Sequence, residues 1–180
     1  MNIIEIFTKS LILIFSFDKD LWEIIVLSLY VSITALILAS IFGLLAGYYL
    51  ALKNFVLKNF ILIFLNSLMG IPPVVVGLIV YFLFASGGPL GVLQLLYTPT
   101  AMIIAQVIII FPIVTSLSHE IFDQNWREYR DQLRSINMTF FGILFIISKH
   151  SYFLVLTALL SAFGRAISEV GAVMIVGGNI

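Results

Sequence analysis

Gly164-Arg165-Ala166-Ile167-Ser168-Glu169-Val170-Gly171-Ala172-Val173-Met174-Ile175-Val176-Gly177-Gly178-Asn179-Ile180 is an apolar run that carries one arginine and one glutamate. The two charges are four residues apart, so on one helix they share a face and lie within reach of each other. An ionisable side chain at membrane depth is costly and marks a functional site by default. The segment decides the fold only if it does lie in a membrane, and the rest of the chain bears on that.

Of the 180 residues, 62% are hydrophobic and 10% charged, and the mean hydropathy is +1.18. Soluble domains carry about 25% charged residues. The uncharged stretches have helical length, whereas a membrane barrel shows alternating segments of about 10 residues. The expected fold is therefore all-α, an integral membrane helical bundle. Nine Lys+Arg balance nine Asp+Glu, which leaves no basic surface for nucleic acid, and the absence of cysteine excludes disulfides and thiolate chemistry.

Working outward, the chain divides into about four spans. The segment above closes the fourth, from about Tyr152 to Val176. The first runs from Ile24 or Ile25 to Leu52 and carries Gly43 and Gly47 in the GxxxG spacing that lets helices approach closely. The second, Phe60 to Phe84, holds Gly70, Ile71, Pro72, Pro73 and Gly77 at its centre. Paired prolines break the hydrogen-bond ladder, and in lipid the freed carbonyls must face protein or a water-filled cavity. The third, Thr100 to Leu117, contains Gln106 and Pro112. Residues 1–20 are too short in their uncharged core to span, since about 20 apolar residues are needed, and read as an interfacial helix.

Residues 118–150 concentrate charge: Glu120, Asp123, Arg127, Glu128, Arg130, Asp131, Arg134 and Lys149. They read as a hydrophilic loop of helices separated at Ser135-Ile136-Asn137-Met138. Counted with Lys53 and Lys58, this side of the bundle has six basic residues, against Lys9 and Lys19 on the other. The excess places the loop in the cytoplasm and the N-terminus outside. The loop is either a solvated connector or the docking surface for a soluble partner. His119 and His150 stand singly, without a second ligand at metal spacing. No GxxxxGK[ST] is present to cradle nucleotide phosphates, so no cofactor is expected.

Asp131-Gln132-Leu133, Ile136-Asn137-Met138-Thr139 and the closing Ile147 to His150 resemble, in spacing, the cytoplasmic loop of binding-protein-dependent ABC importer permeases. That pattern is Glu-Ala-Ala, three residues, Gly, and a final Ile-x-Leu-Pro. Asp131 stands for the glutamate, Asn137 for the glycine and His150 for the proline. Asn is the residue best able to replace glycine in a left-handed turn. Leu68 to Leu78, Gly87 to Gly91, Ala101 to Gln106 and Gly164 to Ile180 resemble the permeases of molybdate, sulfate and tungstate importers, nearest to the tungstate branch. The resemblance extends over essentially the whole chain.

The resemblance implies a transport subunit in a bacterial or archaeal cell membrane, with no enzymatic activity of its own. Two copies, surrounded by lipid, would form a central pathway. An external binding protein would deliver an oxyanion, and two cytoplasmic ATPase subunits would grip Asp131, Gln132, Leu133, Ile136, Asn137, Met138 and Thr139. It also implies that this chain lacks a final span that the family carries after the Gly-Asn-Ile element. Two forks stay open. Arg165 and Glu169 are either a neutralising pair that fixes helix register or pathway charges, the arginine attracting the anion and the glutamate limiting its hold. Pro72, Pro73 and Gly77 are either packing features or the wall or gate of the pathway.

Overall fold

The computed structural model describes residues 18–178, so the interfacial helix expected over 1–20 lies almost wholly outside the described residues. Seven α-helices follow in order: α1 (Lys19–Leu52), α2 (Lys58–Met69), α3 (Pro73–Phe84), α4 (Pro99–Ser135), α5 (Phe140–His150), α6 (Tyr152–Ser168) and α7 (Val170–Gly177). A 3-10 turn at Gly91–Leu93 lies between α3 and α4. Two helices, α1 and α4, are each long and apolar enough to cross a membrane, and the number rises to four if each sharply bent helix pair counts as one span.

The core is the packing of α1 along α4. α1 begins where the Asp18 carboxylate accepts a bond from Leu21 N at 3.1 Å, a side-chain cap for an orphan backbone donor. Its buried face carries Ala35, Ala39, Gly43, Gly47 and Ala51, a small residue at every fourth position. A methyl group on Gly43 would lie 2.9 Å from Val114 Cγ1, and one on Gly47 would lie 2.8 Å from the Thr115 carbonyl and collide with Ser118 Oγ. The absent side chains let the two backbones touch. Lipid supplies no hydrophobic drive between helices, so such contact is what holds them together. The Gly43–Gly47 pair thus faces α4.

Three boundaries differ from those expected. The second span is not one helix from Phe60 to Phe84: α2 ends at Met69, α3 starts at Pro73, and their axes differ by 101°. Pro72 caps α3 and Pro73 occupies its first turn, where a missing N–H costs nothing. At 1.5 Å per residue each half is about 18 Å long, short of a bilayer core of about 30 Å. The loop after Leu117 is helical and divides at Ser135-Ile136-Asn137-Met138 as expected, but its first helix is continuous with the third span. α4 runs 37 residues through Pro112 to Ser135, so the first charges of segment 118–150 line a helix that continues about 20 Å or more beyond a bilayer-deep length. The fourth span is interrupted too, because α6 stops at Ser168 and α7 starts at Val170.

Beyond α4 the chain folds back as a helical hairpin. Asn137 takes φ 49° in the connection, and the Thr139 hydroxyl caps α5 by accepting from Gly142 N at 3.2 Å. The hairpin rests on the end of α1: Tyr48 OH donates to the Phe140 carbonyl at 2.7 Å, and its ring stacks edgewise on Phe122 and Phe140. Ile143, Ile147 and Leu133 complete this second core. At the other end of the bundle, Tyr97 N donates to Val176 O at 3.0 Å and ties the α3–α4 loop to α7.

The glycine stripe makes a direct prediction. Gly47→Val should lower the melting temperature of the detergent-solubilised protein sharply, because overpacking a close contact costs about 1–3 kcal/mol or more. Gly164→Ala, where an added methyl group meets nothing within 4 Å, should leave it unchanged. Thermal unfolding of both variants by intrinsic tryptophan fluorescence checks this.

Candidate functional site

The two helix breaks meet. α3 and α7 run in the same direction and pack together near their starts, with Val74 beside Gly171 and Gly77 beside Ala172. A methyl group added to Gly77 would lie 2.9 Å from Ala172 Cα, and one added to Gly171 would lie 3.2 Å from Val74 Cγ2. Small residues on both helices set this spacing. Each helix start exposes backbone N–H groups and the positive end of a helix dipole. Proline creates the first such end. At the second, Glu169 adopts φ −88°, ψ 85°, outside helical geometry.

Arg165 and Glu169 lie beside the second break. Arg165 Nε is 2.7 Å from Glu169 Oε1, with 39% of the arginine side chain exposed against 11% of the glutamate. The contact is between charges, since the Nε–H is not aligned on the carboxylate as a hydrogen bond. The two residues pair as their spacing implies, but across the end of α6 and not within one unbroken helix. The structure thus sets Val74 and Gly77 of α3 against the start of α7, and Glu169, which precedes α7, pairs with Arg165 of α6.

Two of the cavities among the described residues hold polar side chains of several helices. One of about 290 Å³ lies between α1, α4 and α7 and is lined by Ser28, Ser32, Gln106, Glu169 and apolar neighbours. The other, of about 670 Å³, lies toward the hairpin between α2 and α4, with Asn66, Ser116, His119, Glu120, Asp123 and Arg127 on its walls. There Asp123 accepts two cations: Arg127 Nη2 at 2.7 Å and Lys58 Nζ at 3.7 Å, which ties the start of α2 to α4. Sequence reasoning missed this cluster, because no local signal joins Lys58 to Asp123. Gln106, whose place in an apolar span reads as interior-facing bundle glue before it reads as a substrate ligand, is buried here.

The hairpin tip gathers the expected coupling residues and sorts them by burial. Asp131, Gln132, Ile136, Asn137 and Thr139 are exposed, whereas Leu133 is buried and Met138 is half-buried. Asp131 carries an ion contact from its neighbour Arg130 at 3.3 Å, and its side chain is 85% exposed. His150, which stands where the resembling loops have proline, places Nε2 3.3 Å from Tyr129 OH and closes the base of the hairpin. No group of three or more metal-ligating side chains forms among the described residues.

The family described as the inner membrane component of binding-protein-dependent transport systems matches residues 39–180. The tungstate uptake system permease protein TupB of Peptoclostridium acidaminophilum is 39% identical over 178 residues, which cover 99% of this chain and 78% of that protein. TupB of Campylobacter jejuni is 33% identical over 97% of this chain and 73% of its own length. A probable anion ABC transporter permease of Haloferax volcanii is 39% identical over 88% and 68%. Helices long and apolar enough to cross a membrane agree with these likenesses: the chain belongs to the family of inner membrane components of binding-protein-dependent transport systems.

Proposed function

We propose that this chain lines the translocation pathway of an ATP-driven oxyanion importer, with tungstate as its cargo. The observation that carries the reading is the packing of the α3 start against the α7 start, which Glu169, the partner of Arg165, precedes. Half-helix N-termini aimed at one point inside a membrane are a known arrangement for anionic groups. Each end acts as about half a positive charge, and the donors are backbone N–H groups that stay in place when the cargo leaves. Glu169 offsets Arg165, which suits a pathway, since conduction fails where the cargo binds too tightly to depart. The names of the tungstate and anion permeases among the relatives favour the same class of cargo.

In this reading Pro72, Pro73 and Gly77 form the wall or gate, and two copies of the chain enclose the pathway within lipid. The hairpin tip, Asp131, Gln132, Ile136, Asn137 and Thr139, docks a cytoplasmic ATPase, with Leu133 and Met138 holding it to the bundle. α4 then transmits movement from the tip to the membrane as one continuous rod. In the same reading, the excess of basic residues at the hairpin end favours a cytoplasmic hairpin and an external N-terminus. Choice among tungstate, molybdate and sulfate rests with the external binding protein, because dipole ends and one paired arginine read charge and not metal identity.

Arg165→Ala should reduce ATP-driven tungstate uptake into proteoliposomes at least tenfold while the ATPase still copurifies. Uptake at the unmodified rate would overturn the pathway role. At the tip, Asn137→Gly should preserve ATPase copurification. Asn137→Val, which places a β-branched residue at φ 49°, should weaken it, as should Ile136→Asp on the exposed face. Pull-down of the ATPase from solubilised membranes, normalised to permease content, measures all three.

A further inference from the structure

The break before α7 is held from another helix. In an unbroken helix the Ala166 carbonyl would accept from the N–H of Val170. Here α6 ends at Ser168, and Glu169 N reaches that carbonyl at 3.4 Å. A carbonyl without a good partner is costly inside a membrane. Gln106 of α4 meets the need: its Nε2 donates to Ala166 O at 3.0 Å and reaches Ser32 Oγ of α1 at 3.4 Å. The residue is 3% exposed. Its orientation is fixed by the partner, because a carbonyl can accept only from the NH₂ end of the amide. The other end, Oε1, is buried without a hydrogen-bond partner. The side chain thus serves the break at the expense of its own second bond.

This contact bears on the site because the N-terminus of α7 exists only while the chain is broken. If Val170 N–H were rejoined to Ala166 O, α7 would continue α6, the free N–H groups at its start would be consumed, and Glu169 would enter a helix turn. We propose that Gln106 is a positioning residue for oxyanion transport: its carboxamide holds the α6–α7 break and so maintains the second positive helix end beside α3. The proposal rests on the oxyanion-importer reading.

The test uses the assembled importer with its ATPase and binding protein. Gln106→Met keeps the unbranched shape and removes the donor, and Ser32→Ala removes only the 3.4 Å contact. Hydrogen–deuterium exchange of the Val170 to Ala172 amides should slow at least tenfold in Gln106→Met as the helix closes, and tungstate uptake should fall at least tenfold with the ATPase still bound. Ser32→Ala should match the unmodified protein in both. Unchanged exchange in Gln106→Met would overturn the proposal, and so would slowed exchange with normal uptake. If the unmodified importer carries no tungstate, the cargo assignment fails, and the exchange comparison alone still decides whether Gln106 holds the break.

Discussion

A backbone carbonyl or amide inside a membrane must find a partner in the protein, and this fold is shaped by how it meets that demand at two interruptions. At the first, proline removes the donors. Pro72 and Pro73 leave no N–H to satisfy, Val75 N recovers the Pro72 carbonyl at 2.9 Å, and the chain turns through 101° at little cost. At the second there is no proline, and the unfilled acceptor is served by a side chain 60 residues away. One break is written into the covalent chain. The other depends on tertiary packing and can be undone.

That packing relies on close approach between α1 and α4. With alanine and glycine at every fourth position of α1, the backbones come near enough for Ser118 Oγ to reach the Gly43 carbonyl at 3.4 Å. The same proximity brings Ser32 to Gln106, so the small-residue stripe and the support of the second break are parts of one interface. α4 carries both ends of the system. Gln106 lies near its start, and Asp123, with its contacts to Lys58 and Arg127, lies near the hairpin. In the proposed importer, movement imposed at the tip would travel along α4 to the α6–α7 break and through Lys58 into α2.

Much of this was legible in the chain because the determinants are local. Composition gives the membrane, tandem proline gives the first break, GxxxG gives a close contact, and Asn137 gives the left-handed turn. The errors have physical causes. The charges after Leu117 resemble a loop because hydropathy reports solvent and not backbone, and a helix that leaves a bilayer can continue in water. The apolar run after Gly164 resembles a single span because nothing between Arg165 and Val170 forbids helix. The partner that bonds the Ala166 carbonyl there lies on α4. Likewise the spacing of Arg165 and Glu169 indicates a pair, but the displacement of Glu169 from helical geometry requires knowledge of the break.

The balance of charge at the junction explains why an arginine is tolerated there and why it is not left alone. Arg165 and Glu169 cancel at a distance, so the lasting positive potential comes from the two helix ends, about half a charge each and roughly one charge per chain. In the proposed two-copy assembly this becomes roughly two positive charges, enough to compensate a dianion without any unpaired basic side chain. An unpaired arginine would be costly before the cargo arrives and would hold the cargo after it does. Backbone dipoles carry neither penalty, provided the breaks that expose them persist. In the proposed importer the cost of keeping them falls on the buried amide of Gln106, whose oxygen is buried without a partner.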